Sequence, residues 1–340
     1  MIKFFRHIRM NFMETGKTGK YFKYAIGEIV LVVIGILIAL SINNWNENKK
    51  SNIKFNKLLV NVFNDLEVDL EVAQRFIEFY NDKDTLVNNI INGKYSVSDY
   101  KNDPNLENPI FDNYQVYNVT DMGYNALMQN TENIPSEYEE LITDLNRQYI
   151  ITTKRIEFNL KIFSSIVEST RMRYTLSFPW YSQTDSISNE KRWQYLANNP
   201  IYKNEGQLYK RYGIMNLSGS VKSFYRQGLP LLLTLKATIN DTSPLPSFFP
   251  INADGFDSVK SDYLGKYLNP SGNEFSIKEK NGFLFIHPND RIHTLLSMVS
   301  KDTFKNHNNE RILTFIRDES NKVIGWHNGF NFIKKVKSND

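Results

Sequence analysis

Residues 26–42 form one apolar run, and this run restricts the architecture of the chain more than any other feature. From Ile29 to Ile42 it contains no charged residue and a single hydroxyl group. Together with Ala25 and the aromatic residues before it, the run reaches the ~20 residues that cross ~30 Å of hydrocarbon. We therefore predict a transmembrane helix over residues 24–45.

Two other interpretations of the run are weaker. A cleaved signal peptide has a shorter apolar region that ends at a small-residue cleavage site, whereas Ala39-Leu40-Ser41 lies inside the run. A buried core helix seldom contains so many consecutive Val, Ile and Leu residues without a polar face. We expect a signal-anchor that is retained in the mature protein.

The flanks of the run have the composition of a membrane interface. Residues 1–23 carry Lys or Arg at six positions against Glu14 alone, and we assign them to a basic cytoplasmic or interfacial segment. The predicted interface residues are Lys3, Arg6, Arg9, Tyr21, Tyr24 and Trp45. Lysines also follow the run closely, but long domains are translocated largely regardless of such charges. We predict a single-pass protein of the bacterial inner membrane, with a cytoplasmic N-terminus and periplasmic C-terminal domains.

The basic residues are concentrated at the membrane end of the chain. Ten of the 41 Lys and Arg residues lie within residues 1–60, together with three acids, which leaves 31 bases and 34 acids in the remainder. The remainder is therefore slightly acidic, which argues against nucleic acid as a partner. The chain has no Cys, so disulfides, thiolate nucleophiles and Cys-based metal sites are excluded.

Residues 46–243 have the periodicity of helices and are predicted to form a helical stalk and bundle domain. Apolar residues recur at three- and four-residue steps from Leu59 to Tyr80, as in an amphipathic helix. Four acids interleave with them, namely Asp65, Glu67, Asp69 and Glu71. Because these acids alternate, we expect a solvated helix face rather than a metal or catalytic site. Residues 93–113, rich in Asn, Asp and Pro, are predicted to form an exposed loop.

The composition changes at about residue 254, after a Pro-containing linker over residues 244–253. Short runs of β-branched and aromatic residues follow, and Asn281-Gly282 and Asn328-Gly329 are hairpin turn signals between them. Residues 254–340 are therefore predicted to form a small antiparallel β-sheet or barrel. The expected fold class is α+β, with an N-terminal transmembrane helix, an extracytoplasmic helical bundle and this C-terminal β-domain.

The N-terminal blocks carry a family resemblance. Met1–Arg9, Tyr24–Leu40 and Asn43–Asn46 resemble a family of uncharacterised single-pass membrane proteins common in the Bacteroidota, and a looser likeness continues through Met122–Leu127. The resemblance implies an anchored extracytoplasmic protein with a domain of unknown function. It supplies no known activity.

The C-terminal region has a second resemblance. Asp262–Tyr267, Asn281–Leu284 and Phe315–Asp318 are similar to a small β-domain that is appended to β-lactamase-like serine hydrolases. The appended domain is not the catalytic one in those enzymes. The resemblance therefore implies a fold for this region and no catalytic residues.

No catalytic constellation is recognised in the sequence. Residues 51–54 and 188–191 fit Ser-x-x-Lys, but neither has the Gly-rich or Ser-Asp-Asn partner motifs of penicillin-binding chemistry. The spacing of the five His residues matches no zinc signature. We therefore predict no catalytic, cofactor-binding or metal-binding residues and no cofactor.

Glu28, Gly35 and Ala39 are predicted to share one face of the transmembrane helix, because at ~100° per residue they point within roughly 40° of one another. Gly35 and Ala39 have the spacing that lets two helices approach closely. A carboxylate within the span usually finds water, the interface or a protein partner. We hypothesise that this face packs against a second copy or another membrane protein. The alternative is that Glu28 reaches the interface, or is protonated near it, and the small residues are incidental.

Two classes of function fit these features. The one we favour is a binding or scaffold module that is tethered to the lipid bilayer in the bacterial envelope, since no convergent polar site is visible in the sequence. The alternative is a membrane-anchored hydrolase that acts on envelope material. A pocket that joins His287 or His327 to acids such as Asp290 or Asp318 would support the alternative.

Overall fold

A computed structural model describes residues 18–130, 134–289 and 292–336 of the chain. The chain divides into two compact units, residues 1–57 and residues 58–340. Helices occupy the first part of the described sequence and an antiparallel barrel occupies the last part. The α+β class predicted from the sequence is confirmed.

The apolar run lies in helix α1, which spans Thr18–Ile91. Every residue from Ile29 to Ile42 is exposed. Among the described residues, α1 is the one helix that is long and apolar enough to cross a membrane. The structure thus confirms an uninterrupted apolar helix at the predicted position.

The second unit continues with a series of closely spaced helices. These are α2 (Val97–Asn102), α3 (Met122–Met128), α4 (Glu139–Asn146), α5 (Thr153–Ser177), α6 (Ser186–Asn198), α7 (Pro200–Tyr209), α8 (Ser218–Thr238) and the short α9 (Phe256–Val259). Two π-helical segments, Arg147–Thr152 and Lys210–Leu217, connect α4 to α5 and α7 to α8.

Prolines set two of the helix boundaries. Phe178 precedes Pro179 and is extended, with φ −128° and ψ 102°, because the proline ring disfavours helical geometry in the residue before it. Pro200 occupies the first position of α7, where no N–H is needed. The side chain of Asn199 caps this helix by accepting a hydrogen bond from the N–H of Ile201 at 2.9 Å.

Buried tyrosines in the bundle hold the segment that follows α2. Tyr80 and Tyr202 have no exposed surface. The hydroxyl of Tyr80 accepts a hydrogen bond from the N–H of Gln115 at 3.2 Å, and the hydroxyl of Tyr202 accepts one from Ile110 at 3.4 Å. A buried phenol requires a polar partner, and here the partner is the backbone of a segment with little secondary structure.

The prediction that residues 93–113 form an exposed loop is therefore wrong for part of that range. Helix α2 lies within it, and Tyr100, Leu106 and Phe111 are each at most 2% exposed. The Asn, Asp and Pro residues provide turns between these apolar side chains. The segment covers the bundle instead of extending into solvent.

The prediction that the acids of α1 form a solvated face is wrong for Asp65 and Asp69, which lie one turn apart on the same side of the helix. Asp69 is 2% exposed and accepts a hydrogen bond from the N–H of Thr120 at 2.9 Å. Asp65 accepts one from the N–H of Gly123 at 2.7 Å. The two carboxylates thus fix the chain where it enters α3, while Glu71 is exposed as expected.

Gly123 allows α3 to approach the backbone of α1 closely. A Cβ at this position would lie 2.8 Å from the backbone C of Asn61 and 2.8 Å from the N of Val62. Both separations are well below van der Waals contact, so a larger residue would displace backbone atoms. Close packing against α1 therefore explains why position 123 is a glycine. This position lies in the block 122–127, which carried the looser family resemblance.

The described strands form a closed eight-stranded antiparallel barrel in which each strand pairs with the next and β8 pairs with β1. They are β1 (Gly265–Leu268), β2 (Glu274–Lys280), β3 (Phe283–Asn289), β4 (Ile292–Ser300), β5 (Thr303–Asn306), β6 (Ile312–Arg317), β7 (Val323–His327) and β8 (Phe332–Lys335).

Asn281 and Gly282 join β2 to β3 with φ values of 52° and 78°, as in a type I′ hairpin turn. Gly329, with φ 88°, lies in the turn from β7 to β8. Both hairpins predicted from the sequence are present.

The blocks that resemble the appended β-domain contribute to the barrel core and its polar ties. The side chain of Arg317 donates to the carboxylates of Asp302 at 2.9 Å and Asp262 at 2.8 Å. The hydroxyl of Tyr263 donates to Asp302 at 2.9 Å, and its ring centroid lies 4.7 Å from that of Phe315. These contacts join β6, the turn between β4 and β5, and the segment before β1.

The segment 244–253 contacts both the bundle and the barrel. The hydroxyl of Tyr225 on α8 donates to the carbonyl of Phe248 at 3.0 Å. Phe249 is 3% exposed, and its ring centroid lies 5.3 Å from that of Phe283 on β3. The barrel is therefore held against α8 by packing as well as by chain connection.

We expect Gly123→Ala to destabilise the fold by roughly 1–3 kcal/mol, the usual range for overpacking a well-packed site. Gly219→Ala in α8 is the matched control, because a Cβ at Gly219 meets no atom within 4 Å; there the change should be neutral or stabilising by roughly 0.5–1 kcal/mol. Urea unfolding of the full chain in lipid nanodiscs, followed by tryptophan fluorescence, measures both. Equal effects of the two substitutions would contradict the packing argument.

We expect the free energy of unfolding to decrease as the pH rises, because of Asp69. Burial, reinforced by the charges of Asp65 and Asp121 and opposed by hydrogen bonds from Thr120, raises the pKa of Asp69 from 3.8 to about 7. Between these values the folded state holds the proton more tightly than the unfolded state. Raising the pH through this window therefore destabilises the fold, by up to about 1.4 kcal/mol per pH unit.

The test compares urea unfolding of the natural chain and Asp69→Asn from about pH 4 to about pH 7, the window set by the two pKa values. Relative to the variant, the natural chain should lose stability as the pH rises. The control is Glu71→Gln, which changes an exposed acid on the same helix. A constant difference between the natural chain and Asp69→Asn across this range would show that Asp69 does not carry the effect.

Candidate functional site

A cleft of about 560 Å³ lies between the helical bundle and the barrel. We call it the bundle–barrel cleft. Its bundle wall comes from α4, the π-helical segment Arg147–Thr152 and α8. Its barrel wall comes from β2, β3, β4, the turn between β2 and β3, and the turn between β5 and β6. The volume lies in the range of small-molecule sites, which are typically concave, partly apolar and furnished with a few polar groups.

The bundle wall is shaped by two departures from regular α-helix. The π-helical segment contributes Arg147 and Gln148, and π-helical turns occur frequently at functional sites. Gln148 is 1% exposed and donates to the carbonyl of Phe224 at 2.9 Å, which ties the segment to α8. Pro230, also in the wall, has no N–H to donate to the carbonyl of Arg226.

The barrel wall begins at the hairpin between β2 and β3. Lys280 and Asn281 are exposed there, and Phe285 and Leu295 form buried apolar surface behind them. The amide of Asn281 donates to the carbonyl of Leu233 on α8 at 3.2 Å. The hairpin predicted from Asn281-Gly282 therefore also positions one edge of the cleft.

An ion pair joins the two walls. Arg226 on α8 bonds the carboxylate of Glu310, in the turn between β5 and β6, at 3.0 Å. A second cleft of about 400 Å³ is lined by both members of this pair and by Lys222 and Lys305. Arg226 and His307 line both clefts, so a change at the ion pair alters both.

His307 lies beside a buried serine. Its Nε2 is 2.8 Å from the Oγ of Ser297, which is 6% exposed. Burial, reinforced by the positive charges of Lys305 and Arg226 and opposed by Glu310, lowers the pKa of His307 to about 4. His307 is therefore neutral at physiological pH, and the positive charge of this region comes from Arg and Lys.

The two histidines that the sequence analysis paired with acids lie in different parts of the barrel. His287 lines the bundle–barrel cleft, together with the acid Asp144; Asp290 lies outside the described residues. His327 pairs with Thr314 at one end of the β6–β7 hairpin, whereas Asp318 lies at the other end and accepts hydrogen bonds from Ser320 and Lys322. In the described part of the chain no group of three or more His, Cys, Asp or Glu residues could hold a metal ion.

The residues predicted to act in the membrane lie in the first unit. Gly35 and Ala39 are exposed and Glu28 is partly exposed, and a Cβ at Gly35 would meet no atom within 4 Å. Packing of this face against another helix stays a prediction. Trp45 is 65% exposed, with Lys49 Nζ 5.4 Å from its ring centroid. Of the other predicted interface residues, Lys3, Arg6 and Arg9 lie outside the described residues, as do the side chains of Tyr21 and Tyr24.

Sequence inspection missed the cleft because no short motif marks it. Its charged residues come from positions as far apart as Arg147, Arg226 and Lys280, and each has an ordinary local context. The sequence signal that came closest was the Asn281-Gly282 turn, which indicated a hairpin and no ligand site.

Residues 28–149 match the model of DUF6090, a family of unknown function. The match begins in the apolar run and ends within the first π-helical segment, so it includes Asp65, Asp69 and Gly123 but neither α8 nor the barrel. A comparison with curated proteins and one with solved structures found no match. The resemblance to an uncharacterised family is thus confirmed over this part of the chain, and it brings no activity with it.

Proposed function

We propose that this protein is a membrane-anchored binding protein whose ligand site is the bundle–barrel cleft. The observation that supports the proposal is the cleft itself, about 560 Å³ in volume and lined from both walls by charged, amide and apolar side chains. A recess of this size and composition, inside one compact unit, is the usual form of a small-molecule site. The family match of residues 28–149 is compatible with any function.

The proposed location is the bacterial envelope. The apolar part of α1 spans the inner membrane, residues 1–23 face the cytoplasm, and the bundle and barrel lie in the periplasm. Supporting features are the exposure of the apolar run, its adequate length and the six basic residues before it. Membrane tethering would keep the cleft near envelope ligands.

A hydrolase is the weaker candidate. The contact between Ser297 and His307 is the feature that bears on it. Ser297 is almost fully buried, and a histidine with a pKa of about 4 accepts a proton poorly at neutral pH, so it is a weak general base. We therefore interpret this contact as structural, because it links β4 to the end of β5.

Blocking the cleft tests its role directly. The chain has no Cys, so Thr234→Cys gives one attachment point for a bulky maleimide in the cleft wall. Thr238→Cys is the matched control. Thr238 lies one turn later on α8, is also half-buried and also donates its hydroxyl to the carbonyl four residues earlier, but it does not line the cleft.

A library of water-soluble fluorinated fragments is then screened by fluorine NMR against both labelled proteins in nanodiscs. Fragments that bind relax faster in the presence of protein. We expect a subset of fragments to bind the chain labelled at Thr238→Cys and to lose binding when the label is at Thr234→Cys. If every binding fragment behaves alike with both proteins, the cleft is not the binding site.

Asn52→Cys tests the membrane arrangement, because Asn52 is exposed and follows the apolar run. We expect the chain to resist carbonate extraction and this cysteine to react with a membrane-impermeant maleimide in spheroplasts. Release by carbonate would contradict the anchor, and protection from the reagent would contradict the orientation.

The same variant reports on association through the face of Glu28, Gly35 and Ala39. A thiol crosslinker in membranes should yield a dimer through Asn52→Cys, and adding Gly35→Leu should reduce that yield by blocking close helix approach. An unchanged yield would exclude self-association through this face.

A further inference from the structure

The described residues that line the bundle–barrel cleft carry more positive than negative charge. Arg147, Arg226 and Lys280 face it, and Asp144 is the acid among its lining residues. Asp144 is 3.0 Å from Arg147 and balances that cation. Beyond residue 60 the chain has 31 bases and 34 acids, so the cleft is cationic within a slightly acidic part of the protein.

Further cations lie near the ion pair of Arg226 and Glu310. Glu310 is the direct partner of Arg226 at 3.0 Å, and Lys222 and Lys305 are close enough to act on the same carboxylate. Burial alone would raise the pKa of Glu310, but the hydrogen bond from Arg226 and the charges of all three cations hold it below its usual value. Three cations therefore surround one carboxylate where the two clefts meet.

The remaining lining selects for an organic molecule rather than a bare ion. Leu231, Phe285 and Leu295 are each at most 5% exposed and form apolar surface at the cleft. Gln227 and Asn308 add amide groups. A ligand with an apolar body and one anionic group would contact both kinds of surface.

Resting on the proposed binding function, we propose that the bundle–barrel cleft binds a small organic anion whose carboxylate or phosphate group is held by Arg226 and Lys280. Arginine suits this role because its planar guanidinium presents paired donors to an oxyanion. Glu310 occupies part of that donor set through its ion pair with Arg226. The ligand's anionic group thus competes with Glu310 for Arg226, while the apolar body lies against Phe285 and its neighbours.

The test compares para-fluorobenzoate with para-fluorobenzamide, a pair of nearly equal shape that differs in charge. Binding is measured by fluorine NMR relaxation with the full chain in zwitterionic lipid nanodiscs at neutral pH, and empty nanodiscs give the background. We expect the benzoate to bind at least about tenfold more tightly, since hydrogen bonds to charged groups are roughly twice as strong as neutral ones. para-Fluorophenyl phosphate distinguishes the two anion classes, because whichever anion binds more tightly indicates whether the natural ligand carries phosphate or carboxylate.

Substitutions at Arg226, Lys280 and Glu310 test whether these residues cause the preference for the benzoate. Arg226→Gln and Lys280→Gln should each reduce the preference for the benzoate. Glu310→Gln should strengthen benzoate binding, because it removes the competing carboxylate. Lys301→Gln, which removes an exposed lysine outside the cleft, should change nothing. Lys280 is exposed, so its variant remains informative if Arg226→Gln does not fold.

The outcomes separate this inference from the proposed function. If the benzoate and the benzamide bind equally and both are lost with the bulky label at Thr234→Cys, the cleft binds ligands but does not select anions. If neither the benzoate nor the benzamide binds, and if the bulky label at Thr234→Cys changes the binding of no fragment in the wider library, the proposed binding function is wrong. Weaker benzoate binding in Glu310→Gln would also overturn the competition between ligand and glutamate.

Discussion

Helix α8 lies between the other bundle helices and the barrel, and the second unit is organised around its burial. From Gly228 to Leu235 this helix is apolar on almost every side, and Leu229, Leu232 and Leu235 have no exposed surface. A helix of this kind is stable only when it is covered all round. The other bundle helices and the barrel together supply that cover, so the barrel stabilises the bundle and fixes the position of the cleft.

The cleft exists because the two walls meet incompletely. Pro230 and the π-helical segment interrupt regular packing on the bundle side. Polar contacts then bridge the gap, from Asn281 to the carbonyl of Leu233 and from Arg226 to Glu310. Surface ion pairs contribute little to stability, so the pair at Arg226 matters mainly because it concentrates charge where a ligand could reach it.

The errors of the sequence interpretation share one physical cause. Asp65 and Asp69 look like surface residues because charged side chains are rarely buried, yet they accept backbone N–H groups from a segment some 50 to 60 residues away in sequence. Residues 93–113 look like a loop because turn-forming residues dominate them, yet the hydroxyl of Tyr202 on a distant helix accepts a hydrogen bond from the backbone N–H of Ile110. In both cases a partner that is remote in sequence reverses what the local composition indicates.

Local sequence pattern was enough to predict the apolar helix, the amphipathic helices, the hairpins at Asn281-Gly282 and Asn328-Gly329, and hence the α+β class. Each follows from spacing or turn chemistry within a few residues. The packed fold was needed to show that the strands close into a barrel, that Gly123 lies against α1, and that Arg147, Arg226 and Lys280 line one cleft. Those features depend on which distant surfaces bury one another, a property of the whole packed unit that no local stretch of sequence contains.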